Sequence, residues 1–283
     1  MTVPTQVRPD TSPAPTRQAT RQRYLMCPPT YFAVTYAINP WMDPSRPVDV
    51  DRAVRQWDAL RQVHLDLGHT VEIIDPEPGL PDMVFAANGG VVIGDTAVGV
   101  KFRYPQRRGE QEAYLNWFAA AGISQRHQPS FDNEGEGDIL LAGNVMLAGT
   151  GFRTDLRAHA ELAALLGREV ITLELIDPRF YHLDTALAVL DDTTVAYLPA
   201  AFSPASRAEL ARRFPDAIIA TAADAEAFGL NAVSDGRNVV LAAEAVGLAD
   251  QLRRRGFVPV PVAMDELRRA GGSAKCATLV LHP

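Results

Sequence analysis

Asn133-Glu134-Gly135-Glu136-Gly137-Asp138 runs into two apolar stretches, at residues 139–141 and 144–148, before Gly151-Phe152-Arg153-Thr154-Asp155 opens a helix-spaced segment at 155–166. A further β-type run occupies residues 169–175. This succession of polar loop, two short strands, helix and strand decides the fold, because it recurs. Tyr181-His182-Leu183-Asp184 precedes strands at 186–190 and 194–197, a helix at 204–214 and a strand at 217–220. Asn231-Ala232-Val233-Ser234-Asp235 precedes a strand at 238–242, a helix at 245–255 and a strand at 257–262. Upstream, Asn88-Gly89-Gly90 precedes runs at 91–93 and 97–100 and a helix at 112–121. The first pass has a strand at 23–27, an amphipathic helix at 51–67 ended by Gly68, and a strand at 70–74. Hydrophobic periodicity, not residue identity, carries these five or so passes of one mixed α/β unit. No linker-like stretch follows residue 23, so residues 23–283 read as one α/β domain whose polar loops converge at one end of a shared centre. Residues 1–22 are rich in Pro, Thr, Gln and Arg with almost nothing apolar, and read as a disordered leader.

The bulk composition narrows the function classes. A formal net charge of −7 argues against an electrostatic nucleic-acid binder and against a polybasic membrane surface. No apolar run has the length to span a bilayer, and the polar N-terminus lacks the apolar region of a secretory signal. Two cysteines, Cys27 and Cys276, make no disulfide framework and point to the cytoplasm. No CxxC or HxxxH spacing suggests a metal site, and no cofactor is expected. The oligomeric state stays open, with a homo-oligomer as one alternative.

The polar loops hold the residues that break the pattern. Asn88, then Glu134 with Glu136 and Asp138, then Asp184, then Asn231 each stand just before a strand; one loop adds His182 and the last supplies Cys276. Taken singly, each has an ordinary explanation: a turn asparagine, a solvated bulge, a core histidine, a small buried thiol. Together they form a set. A thiolate nucleophile needs a general acid or base, a group to orient it, and something to hold the substrate. Cys276 with His182 supplies the first pair, and Glu134 or Asp184 the orientation. Several carboxylates beside one thiol call for a cationic ligand, and planar bidentate pairing suits a guanidinium best. Such a cation also lowers the thiol pKa, so substrate and nucleophile activate each other.

With those residues in place, the chain from about residue 23 onward resembles the guanidine-modifying (amidinotransferase, or pentein) superfamily. Its members include arginine deiminase, dimethylarginine dimethylaminohydrolase and arginine dihydrolase. The resemblance implies a five-bladed α/β propeller of pseudo-repeats and a small-molecule substrate, arginine or a methylated arginine. It makes Cys276 the nucleophile, His182 the base and Glu134 the catalytic carboxylate. Phe85-Ala86-Ala87-Asn88 is similar to the Phe-x-x-Asp/Asn motif at the guanidinium, where Asn88 stands in place of the aspartate of deiminases. Asp184 then binds the guanidinium as well, Arg153 the α-carboxylate, and Asn39 and Arg103 the amino-acid end. Arg107 and Arg108 read as part of a solvated basic loop. Asn88 and the loop from Tyr36 to Met42 look most like the arginine dihydrolase branch, which yields ornithine, ammonia and carbon dioxide. The alternatives are dimethylarginine dimethylaminohydrolase, arginine deiminase, and a binding protein on the same propeller, as in a ribosome anti-association factor. Replacing the nucleophile tests the whole scheme: Cys276→Ser should abolish turnover while its far-ultraviolet circular dichroism matches that of the parent.

Overall fold

The computed structural model describes residues 16–283. Strand β1 (Arg23–Met26) is followed by helix α1 (Val50–Asp66) and β2 (Thr70–Ile73). Next come β3 (Val91–Ile93), β4 (Thr96–Val98), α2 (Glu110–Ala120) and β5 (Gln125–His127). The third stretch holds β6 (Ile139–Ala142), β7 (Val145–Thr150), α3 (Leu156–Leu166) and β8 (Glu169–Glu174). A four-residue helix α4 (Leu183–Ala186) leads into β9 (Leu187–Val189), β10 (Val195–Tyr197), α5 (Pro204–Arg213) and β11 (Ile218–Ile219). The chain closes with α6 (Ala222–Glu226), β12 (Val233–Ser234), β13 (Asn238–Ala242), α7 (Val246–Arg254), β14 (Val258–Val262) and β15 (Leu279–His282).

One pairing rule repeats. The first two strands of each unit are antiparallel, the third lies parallel to the second, and a helix makes the crossover that a parallel pair needs. The remaining unit joins the two ends of the described chain: β15 pairs antiparallel with β1, and β1 pairs parallel with β2. Five units do not make five sheets, however. β15 also pairs in parallel with β3, which fuses two units into the six-stranded sheet β2-β1-β15-β3-β4-β5 beside three sheets of three strands.

Local chemistry explains the elements. In α1 the Asp49 side chain accepts from the Arg52 amide, and Ala53, Trp57, Leu60 and His64 recur at helical spacing on the buried side. Asp155 caps α3 in the same way, and Gly167 ends it in the left-handed conformation. The edge strand β5, Gln-Arg-His, has no apolar face to advertise it and is absent from the sequence reading. The leader also differs from expectation in part. Residues 1–15 lie outside the described residues, but residues 16–22 pack against the fold, with Thr20 N donating to Asp235 O at 2.7 Å and Arg21 Nε to Gly68 O at 2.7 Å.

Each unit's first strand is preceded by a turn, and those turns meet at the buried centre. They are Ala86–Gly89 before β3, Gly135–Gly137 before β6, α4 before β9, the Asn231 turn before β12 and the Cys276 turn before β15. Glu136 ties two of them together. Its Oε2 accepts from Lys275 Nζ at 2.8 Å and from Val280 N at 2.9 Å, while its Oε1 faces His282 Nε2 at 3.0 Å. Burial alone would raise this carboxyl, but Lys275 and His282 hold it below its usual value. A carboxyl depressed in the folded state stabilises above the unfolded pKa and loses that contribution as pH falls through its folded value. Glu136→Gln should therefore cost about 3 kcal/mol in urea unfolding at pH 7. The difference from the parent should shrink as pH drops below about 4.

Candidate active site

Glu134 is fully buried at the head of its turn, where an unpaired charge would be very costly. Its Oε2 accepts from Arg153 Nη1 and faces His182 Nε2, both at 2.7 Å, and its Oε1 takes the Arg103 amide at 3.3 Å. Burial would raise this carboxyl, yet Arg153 and His182 drive it far below its normal range. It is thus a fixed anion that aligns the imidazole through Nε2 and leaves His182 Nδ1 buried without a partner. Asp138 holds the backbone of the next residue: its Oδ1 accepts from Leu183 N at 3.0 Å and its Oδ2 from Thr154 Oγ1 at 2.7 Å.

Cys276 lies opposite on the last turn, 2 % exposed. Its Sγ donates to Asp184 Oδ2 at 3.1 Å and receives Asn231 Nδ2 at 3.0 Å. Burial and the adjacent Asp184 carboxylate both push the thiol well above its ordinary value. Burial raises Asp184 too, and its Oδ1 has no partner. Among the described residues no salt bridge reaches Asp184. The resting site is therefore a protonated thiol beside a carboxyl that lacks a cation, which is the arrangement a guanidinium would complete.

Asn88 is buried beside the same centre but is not free. Its Oδ1 receives Arg107 Nη1 at 2.8 Å and its Nδ2 donates to Glu134 O at 3.2 Å. Arg107 is no solvated loop residue, contrary to expectation: it is 3 % exposed, bidentate to Glu110 at 2.8 and 2.7 Å, and donates to Asp82 O. Asp82 accepts from Tyr36 OH at 2.8 Å, and its other oxygen is buried without a partner. Asp82, Arg107 and Tyr36 are members of this polar centre that sequence reasoning missed. The Arg107/Glu110 spacing of three in a helix-opening segment was the signal available.

The other expected residues divide. Phe85 is in place, its ring packed so closely on the Cys276 turn that a Cβ at Gly272 would lie 2.3 Å from it. That glycine admits the Phe85 ring rather than leaving space for the substrate's planar group. Asn39 sits at the edge of the site, with Nδ2 on Ala270 O and Oδ1 on Trp41 N, both of which hold the loop. Arg153 spends one donor on Glu134 and another on Ile38 O, and its guanidinium lies between the Tyr104 and Tyr181 rings. The Arg103 side chain is exposed, and only its amide touches the site. A separate cavity of about 810 Å³, lined by Tyr24, Glu136, Asp235, Lys275 and His282, does not reach Cys276, His182 or Asp184.

The model of the family "N,N dimethylarginine dimethylhydrolase, eukaryotic" matches residues 33–282. The chain belongs to that family. It is 58 % identical to the N(G),N(G)-dimethylarginine dimethylaminohydrolase of Mycobacterium tuberculosis, over 95 % of this chain and 89 % of that one. It is 38 % identical to the bifunctional arginine dihydrolase/ornithine cyclodeaminase ArgZ of Synechocystis, over 91 % of this chain and only 37 % of that longer protein. A solved structure of the N-terminal domain of ArgZ, covalently bound to a reaction intermediate, matches with a TM-score of 0.88 at 36 % identity, over 92 % of this chain and 97 % of that one. As a family member the chain is a guanidino-group hydrolase of the guanidine-modifying superfamily, with the mixed α/β fold of these proteins.

A tight geometric constraint on the candidate site is at Gly137. A Cβ there would lie 2.3 Å from Asn88 Nδ2 and 3.0 Å from His182 Nδ1. Gly137→Ala should lower kcat by about 100-fold through displacement of the imidazole, since small misplacements of catalytic groups cost that much. Steady-state kinetics beside an unchanged melting temperature would check it.

Proposed function

We propose that the protein hydrolyses a C–N bond at the guanidino carbon of free arginine methylated on a terminal nitrogen, through a covalent intermediate on Cys276. The products are then citrulline and the methylated amine. The observation that carries the chemistry is the buried contact of Cys276 Sγ with Asp184, a carboxyl without a cation, across from the Glu134–His182 pair. The 58 % identical relative supports the methylated substrate. So does Asn88, whose carbonyl is already engaged by Arg107: a nitrogen bearing methyl groups instead of N–H loses little at that edge.

In this scheme the guanidinium donates to Asp184 Oδ1, and its charge brings the Cys276 thiol down toward neutrality. The thiol proton passes to His182 Nδ1, and Glu134 stabilises the resulting imidazolium through Nε2. The thiolate adds to the guanidino carbon while the C=N π pair moves to nitrogen. His182 returns the proton to the leaving nitrogen, and the C–N bond breaks to release the amine. Water then gives a proton to His182 and adds to the thiouronium carbon; the C–S bond breaks as the C=O bond forms, the hydroxyl proton passes to the released amine, and the His182 proton returns to Cys276. Arg153, with donors beyond those it spends on Glu134 and Ile38, holds the α-carboxylate, and Asp82 Oδ1 takes a substrate N–H. Asn39 and Arg103 border the amino-acid end. The five units form the blades of a propeller around this centre, residues 23–283 act as one catalytic domain, and the two free cysteines suit a cytoplasmic setting.

A second reading is arginine dihydrolase, in which two waters convert arginine into ornithine, two ammonia and carbon dioxide. The likeness to the ArgZ domain favours it, as does an amide at position 88 where deiminases have a carboxylate. Incubation with asymmetric dimethylarginine should give equal amounts of dimethylamine and citrulline by mass spectrometry. Ornithine from arginine, without dimethylamine from the methylated substrate, would replace the first reading by the second. No turnover of either would sink both.

A further inference from the structure

Asn231 stands on the turn before β12, fully buried, and every polar atom of its amide is used. Its Oδ1 accepts the backbone N–H of Ser273 and of Cys276, each at 3.0 Å. Two N–H donors on one atom fix which end of the amide is oxygen. The other end is therefore Nδ2, and it donates to Asp184 O at 3.2 Å and to Cys276 Sγ at 3.0 Å.

We propose that Asn231 is a catalytic residue: its Nδ2–H donates to the Cys276 sulfur and stabilises the thiolate against the adjoining Asp184 carboxylate. The inference rests on Cys276 being the nucleophile and adds a residue that touches the reacting atom. The need for such a donor follows from the surroundings. Burial and Asp184 both favour the neutral thiol. Tyr181 packs nearby but spends its hydroxyl on Gly271 O, and the neighbouring Lys275 turns its ammonium to Glu136 and Thr278 O. Among the described residues, Asn231 supplies the side-chain N–H on the sulfur, beside the Ser273 backbone amide that also favours the thiolate. A hydrogen bond to an ionised acceptor is about twice as strong as one to a neutral acceptor, so this contact strengthens as the thiol loses its proton. It acts a second time when the C–S bond breaks and the sulfur regains its charge. Because the same amide places the Cys276 backbone, its electrostatic part must be separated from a positional one.

The test compares Asn231→Asp, which retains an acceptor for the two backbone amides but removes the donor, with Asn231→Ala, which removes the amide without adding charge. The pH profile of Cys276 alkylation by iodoacetamide, read by mass spectrometry, is measured beside kcat and KM. The alkylation midpoint should rise by about one unit or more in both variants, and furthest in the Asp variant. The loss should fall on kcat, about 100-fold, with KM nearly unchanged. A fall in kcat with an unmoved alkylation midpoint would leave Asn231 a positional role only and overturn the proposal. The parent protein gives an independent reading: the Asn231 Nδ2 resonances should shift with pH at the midpoint of alkylation, and resonances that do not track it also overturn the proposal. Cys276→Ser serves as the control, since turnover surviving in that variant would locate the failure in the nucleophile assignment instead.

Discussion

Buried carboxylate is the constraint on which this structure depends. Asp82, Glu134, Glu136, Asp138 and Asp184 all lie within 1 % of full burial in the turns that meet at the centre. Charge in such a place has to be paired or neutralised. Glu134 has Arg153 and His182, Glu136 has Lys275 and His282, and Asp82 has Tyr36 and, at 3.9 Å, Arg107. Asp138 is met by a backbone amide and a hydroxyl. The Asp184 carboxyl receives the Cys276 thiol and its backbone carbonyl the Asn231 side-chain amide, and among the described residues no salt bridge reaches it. In the proposed scheme the substrate's own charge completes that account, so that a guanidinium hydrolase can be built around a thiol that is protonated at rest.

The repeating unit is what makes so many buried charges geometrically feasible. Each unit contributes one turn, and no single turn carries both members of the principal pairs. Glu134 is paired by Arg153 from beyond β7 and by His182 before α4, while Glu136, two residues along, faces the Cys276 turn instead. One six-residue segment thus locks His182 with one carboxylate and the Cys276 turn with the other. The fusion of two units through β15 and β3 serves the same end, since it anchors the strand that follows Cys276 on both sides. The ladder that joins the sheets is also the support of the Cys276 turn.

Much of the site could be read without coordinates because it sits in turns just before apolar runs. Glu134, His182, Asp184, Asn88 and Cys276 each interrupt a hydrophobic rhythm at the same phase of the repeat, and the structure brings all five together. Arg107 could not be read that way. It lies in a run with Arg103 and Arg108 that looks uniformly solvated, and only packing on Phe102 and pairing with Glu110 show that it faces inward. The room that Gly272 leaves beside Cys276 is likewise invisible in the sequence as to its occupant, and the structure fills it with the Phe85 ring.

By itself the sequence determined the succession of α/β units, the residues that break their periodicity, and hence the proposed chemistry of thiol, imidazole and carboxylates with a cationic substrate. Periodicity and residue type are local properties, written along the chain. The tertiary structure alone decided which partner each charge takes, because pairing depends on distances between positions as much as 146 residues apart in the chain. It decided that Arg153 and Arg107 are bound to carboxylates in the resting protein and that Asn231 holds the sulfur. Above all it decided that, among the described residues, Asp184 is left without a salt-bridge partner, a fact of three-dimensional neutralisation that no stretch of sequence contains.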